Sequence, residues 1–130
     1  NLTLELWNDC VFEEEYEFYK SLIDKDSDVC FLAKLENIFI GFIHVSVRHD
    51  YVEGAENMPL AYIEGIYVKP DYQNRGVAKA LITEAENWAK QKGLKQIASD
   101  TEIINTSSIH FHKKIGFSEV ARIVCFIKNI

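Results

Sequence analysis

A chain of 130 residues, 48% hydrophobic and 12% aromatic, has the length for one domain, residues 1–130, and the material for one core, which excludes disorder. The formal net charge of -6 repels nucleic acid and favours cationic partners, and no apolar run is long enough to span a membrane. The three cysteines, Cys10, Cys30 and Cys125, form no Cys-x-x-Cys pair, so a disulfide framework and a cysteine zinc site are excluded and a reducing, cytoplasmic setting is expected.

Cys30 and Cys125 lie in apolar runs and are expected as small buried hydrophobes. No residues space like a metal site. The chain begins Asn1-Leu2-Thr3 with neither a methionine nor a signal-peptide pattern, so residues upstream are expected.

Leu2, Leu4 and Leu6 alternate as in a strand, while Leu2, Leu6 and Trp7 also share a helix face; the element order adopted takes this segment as helix. Phe12 to Ile23 predicts a second helix, with Tyr16, Tyr19 and Ile23 at three-then-four spacing and acids crowding the first turn. Val29 to Leu35 and Ile38 to Val47 predict a hairpin about a tight Glu36-Asn37 turn. A polar loop from Arg48 to Pro59 follows.

Ala61 to Val68 predicts a central strand whose pattern shifts phase at Glu64-Gly65, the mark of a bulge or splay. Gly76 to Lys92 predicts a helix with Val77, Ala80, Leu81, Ala85 and Trp88 on its apolar stripe. Leu94 to Ser99 predicts a strand. Asn105 to Lys114 predicts a helix capped by Asn105, and Phe117 to Lys128 a closing strand. The fold class is α/β, with a mixed sheet and a parallel strand–helix–strand crossover from Ala61 to Ser99.

The stretch Tyr67 to Leu81, YVKPDYQNRGVAKAL, delivers a strand through a short loop onto a helix N-terminus. There the first N–H groups lack intrahelical acceptors and the helix dipole is positive. Gly76 permits close approach of backbone to a ligand and Ala78 adds only a methyl, an arrangement suited to a pyrophosphate. Asn74 and Val77 belong to the same loop, and Arg75 and Lys79 could add charge at the rim. The pattern is neither Gly-x-Gly-x-x-Gly nor a Walker sequence, and an ordinary strand–loop–helix turn has the same glycine content.

Gln73-x-x-Gly76-x-Ala78 after a strand ending Ile66-Tyr67-Val68 resembles the acetyl-coenzyme A motif of the GNAT N-acetyltransferase superfamily. Asn105 with FHKKIGF at Phe111 to Phe117 resembles its second helix motif. The resemblance covers nearly the whole chain. It implies a mixed central sheet with a splayed strand pair, helices on both faces, and a first strand absent from this chain. It further implies that the pantetheine arm of acetyl-coenzyme A pairs with Ile66 and Val68, that an N–H near Ile66 polarises the thioester carbonyl, and that Asn105 bonds the pantetheine.

A narrower resemblance, to aminoglycoside N-acetyltransferases that modify the 6′-amine, rests on LELWND at Leu4, YVEG at Tyr51, EGIYVKP at Glu64, EAENWAKQKG at Glu84, ASDTE at Ala98 and RIVCFIK near the C-terminus. It implies Trp7, Tyr51, Glu64 and Asp100 as substrate contacts and a homodimer, in which Glu119 to Lys128 could pair across a two-fold axis. Carboxylates at a sheet's open end suit ammonium groups, with Glu64 favoured as base and Asp100 as anchor.

His112 stands where many superfamily members carry a tyrosine acid and is a candidate acid or a packing residue. Ala121 stands where related enzymes often carry an acid, which weakens one amine contact. Each residue also has a plainer reading: Asp100 as a strand end, Glu64 as a paired charge, Trp7 as core, Tyr51 as a loop aromatic. Glu53 and Glu56 read as solvated charges, His44 and His49 as strand-surface residues. Other acceptors in view are a polyamine, another small amine or a protein N-terminus; a non-catalytic acetyl-coenzyme A sensor fits the same motifs.

Overall fold

The computed structural model describes residues 4–9, 16–21, 27–50 and 52–130. Strands β1 (Leu4–Asp9), β2 (Tyr16–Ser21), β3 (Asp28–Leu35), β4 (Ile38–Arg48), β5 (Leu60–Val68) and β6 (Ile97–Ala98) form one sheet in chain order. Helix α1 (Val77–Gln91) links β5 to β6, and α2 (Thr106–Lys114) follows β6. All pairs are antiparallel except β5 with β6, so the sheet is mixed, with the expected parallel crossover.

The hairpin forms as its turn residues dictate. Glu36 and Asn37 take φ of 49° and 69°, the two left-handed positions of a two-residue turn whose twist matches the flanking strands. Every residue of the predicted α1 stripe is buried: Val77, Ala80, Leu81, Ala85 and Trp88. They share one core with Val29, Phe31, Ile43, Val45, Ala61 and Ile63 of the sheet. Phe111 of α2 and Ile115 at its C-cap lean on the same core.

Four expectations change. Residues 4–9 and 16–21 are strands, not helices. In β2 the burial of Phe18 decides: it is fully buried opposite Ala33 of β3, while Glu17, on the other face of the strand, stays partly exposed. The remainder of the predicted helix, and whatever precedes β1, lie outside the described residues. Phe117 to Lys128 forms no strand, because it pairs with none of the described strands, and Cys125 is exposed rather than buried. The strand predicted from Leu94 to Ser99 is cut to two residues.

Candidate active site

The site is built around the expected irregularity in β5. His44 pairs with Gly65 and Val45 with Ile63, leaving Glu64 bulged with no residue opposite it. Beyond the bulge, Lys69 N–H donates to the Ile40 carbonyl at 2.8 Å. Lys69 and Ile40 continue the register Gly41↔Val68 and Ile43↔Ile66. Since bonded and non-bonded pairs alternate in an antiparallel ladder, the N–H and C=O groups of Ile66 and Val68 point away from β4.

On that far side β6 pairs only with Ala61 and Tyr62. The sheet therefore opens beside Ile66 and Val68, where an extended ligand could add as a strand would. Gln73 Nε2 donates to the Val68 carbonyl at 3.0 Å, which ties the loop to the strand end and confirms the direction in which that carbonyl points.

The loop then turns sharply. Asn74 and Gly76 adopt φ of 62° and 84°, and Gly76 is the N-cap of α1. Val77 is buried, so it offers a ligand its N–H rather than its side chain. Lys79 is exposed in the first turn, and the Arg75 guanidinium lies 5.4 Å from the centre of the Tyr72 ring. Tyr67 is half exposed beside Phe42.

The carboxylates lie on one face of the sheet. Ser46 Oγ donates to Glu64 Oε2 at 2.5 Å, and Arg48 donates twice, Nε to Oε2 at 3.1 Å and Nη2 to Oε1 at 2.9 Å. The Arg48 guanidinium holds the Glu64 carboxyl below the usual glutamate range; burial opposes this and the Ser46 hydrogen bond reinforces it. Arg48 also lies 3.6 Å over the Tyr62 ring, and the Tyr62 hydroxyl donates to Asp100 Oδ2. Glu64 and Asp100, far apart in sequence, are thus joined through Arg48 and Tyr62. The paired-charge reading of Glu64 is what this geometry contains.

Sequence reasoning missed Ser46, Arg48 and Tyr62. The signal was there: Ser46 and Arg48 are two apart on one strand and so share a face. It becomes legible only with the β4–β5 register. His44, half exposed as expected, bonds Asp28 Oδ2 at 3.1 Å.

His112 is bonded to other residues, Ser108 and Ser99. The Ser108 carbonyl can only accept, so Nδ1 donates to it at 2.7 Å and Nε2 accepts from the Ser99 hydroxyl at 2.9 Å. Its ring also meets Phe111 and Phe117 edge-on, an arrangement suited to packing. Asn105 caps α2 as expected, Oδ1 accepting from Ser108 N–H at 3.1 Å; this leaves its Nδ2 hydrogens to donate elsewhere. The Trp7 side chain and all of Tyr51 lie outside the described residues. Among the described residues no group of three His, Cys, Asp or Glu could hold a metal ion, and no helix is long and apolar enough to cross a membrane.

The sequence has similar proteins of known kind. The aminoglycoside N(6′)-acetyltransferase type 1 of Salmonella typhimurium is 38% identical over 110 residues, 85% of this chain and 76% of that protein. The enzyme of the same name from Serratia marcescens is 35% identical over 130 residues, 99% of this chain and 89% of its own. The solved structure of AAC(6′)-Iy with the bisubstrate analogue CoA-S-monomethyl-acetylneamine superposes with a TM-score of 0.77 at 40% identity, covering 82% of this chain and 72% of that one. The Acetyltransferase (GNAT) family matches residues 2–117. With the opened strand, the glycine-headed helix and the two motifs all falling inside that span, the chain belongs to the GNAT family of acetyltransferases.

Proposed function

We propose that the chain transfers the acetyl group of acetyl-coenzyme A to the 6′-amine of aminoglycosides, a route to antibiotic resistance. The observation that carries the reading is the joining of Glu64, on the strand whose edge is opened at Ile66 and Val68, to Asp100 through Arg48 and Tyr62. Two carboxylates beside an acyl-carrier groove suit a polycationic acceptor, and the relatives named for that activity support the same acceptor.

Acetyl-coenzyme A supplies an acetyl group already activated as a thioester, which would pass directly to the amine as the C–S bond breaks and coenzyme A leaves as its thiolate. The chain's own residues do the rest. The outward backbone groups of Ile66 and Val68 and the Nδ2 hydrogens of Asn105 hold the pantetheine arm, with the Ile66 N–H placed to polarise the carbonyl. The loop from Gln73 to Lys79 presents its N–H groups to the pyrophosphate. Glu64 accepts the amine's proton through water, and Asp100 anchors the acceptor. His112, with both nitrogens engaged, packs α2 against Ser99. The setting is the cytoplasm, where thiols stay reduced, and the working unit is a homodimer.

Radiolabelled acetyl transfer tests the reading. Label is expected on kanamycin-type sugars bearing a 6′-amine and not on hydroxyl-bearing analogues. Preferred transfer to polyamines would reassign the acceptor, and coenzyme binding without transfer to any amine would make the domain a sensor. Glu64→Gln should lower kcat roughly a hundred-fold while leaving coenzyme affinity nearly unchanged. Unchanged turnover at saturating acceptor removes Glu64 from the chemistry.

A further inference from the structure

Arg48 sits at the centre of the acidic face and satisfies Glu64 in a particular way. With Ser46 it places two donors on Oε2 and one on Oε1. A carboxylate has roughly four acceptor positions, so one direction on Oε1 stays open. Glu64 has no residue paired opposite it in the ladder, because it is the bulged residue. A glutamate so placed would lose rotamer freedom only through its side-chain partners. The guanidinium is itself fixed in plane by the Tyr62 ring 3.6 Å beneath it.

We propose that Arg48 is a positioning residue that, seated on the Tyr62 ring, clamps Glu64 in one rotamer and presents the open Oε1 position to the acceptor amine or its bridging water. The inference rests on the reading of Glu64 as proton acceptor. The groups facing Glu64 are Ser46, Arg48 and His44 from β4, with His44 itself bonded to Asp28 of β3. Tyr62 lies beside it on β5 and leads to Asp100. Arg48 alone among these bonds both carboxylate oxygens. A lysine would keep the charge but lose the planar two-point grip.

The test compares Arg48→Gln and Arg48→Lys across pH. In Arg48→Gln the acid limb of kcat/KM should move up by about one pH unit, since the cation that favours the charged carboxylate is gone. Arg48→Lys should restore the limb while kcat stays about ten-fold low, because charge returns without alignment. A carbon-13 titration of the Glu64 carboxyl, assigned by its absence in Glu64→Gln, reads the same shift without turnover. The midpoint should rise in Arg48→Gln and return in Arg48→Lys.

An unmoved midpoint in Arg48→Gln overturns the proposal, as does wild-type kcat in Arg48→Lys. Loss of coenzyme binding by calorimetry in both variants also overturns it, making Arg48 merely structural. If the wild-type protein acetylates none of the amines, the functional reading fails, and the carboxyl titration still decides whether the clamp exists.

Discussion

Tyr62 is the side chain whose ionisation reports most directly on the site. Burial, then its hydrogen bond to Asp100, pushes its phenol up to about 12. Ionising it would set a phenolate against a carboxylate. In the unfolded chain a tyrosine ionises near about 10. The folded-state value is raised, so the linked stability is complete below the unfolded value and is lost as pH rises from there through the folded one. An ultraviolet titration should show a late component near 12 that is absent in Tyr62→Phe. The same variant keeps the ring under Arg48 but releases Asp100, so KM for the acceptor should rise several-fold with coenzyme affinity unchanged. A late component that survives Tyr62→Phe would place the perturbed phenol elsewhere. Glu64 behaves oppositely: its lowered folded-state value gives stability above the ordinary glutamate range that is lost as pH falls through the lowered one.

At the scale of elements, the helix heads carry the binding argument. Gly76 caps α1 with φ of 84°, a conformation that costs a residue with Cβ roughly 1–2 kcal/mol. Gly76→Ala should therefore lower stability by about 1 kcal/mol and, because the loop N–H groups shift with the strain, weaken coenzyme binding about ten-fold or more. Calorimetry beside a thermal melt separates the two effects; a melt shift with unchanged binding would detach this helix head from the coenzyme. Asn105→Ala should cost about 1 kcal/mol through the lost cap on Ser108 N–H. These elements were legible because their signals are local: Glu36-Asn37 demands its turn, the α1 stripe repeats from Val77 to Trp88, and Asn105 caps by its own chemistry. The N-terminal strands were not. Tyr16, Tyr19 and Ile23 fit a helix as well as Phe18 fits a strand, and only burial of Phe18 against β3 decides between them. Glu64 and Asp100 could be named from their segments. Arg48, Ser46 and Tyr62 could not, because their meeting depends on a register shifted by one bulge.

For the whole molecule, the unsolved surface is the last stretch of chain. Val120, Ile123, Val124, Phe126 and Ile127 are 60%, 75%, 78%, 91% and 96% exposed. The pattern reads as a strand in sequence, yet a strand needs a neighbour, and none of the described strands pairs with this stretch. A run of this kind exposed to water invites pairing with a second copy. If residues 119–128 pair across a two-fold axis, the interface is isologous and each substitution acts twice. Burying one phenylalanine contributes about 1.5–3 kcal/mol, so Phe126→Asp should weaken the dimer by about 3–6 kcal/mol, or roughly two to four orders of magnitude in Kd. Sedimentation at micromolar protein should then show a dimer for the wild-type chain and a monomer for Phe126→Asp. The site's carboxylate network lies within one copy, so the monomeric variant should retain the Glu64 titration. A wild-type chain that sediments as a monomer, with Phe126→Asp unchanged, would instead mean that this apolar stretch folds back on its own molecule in solution.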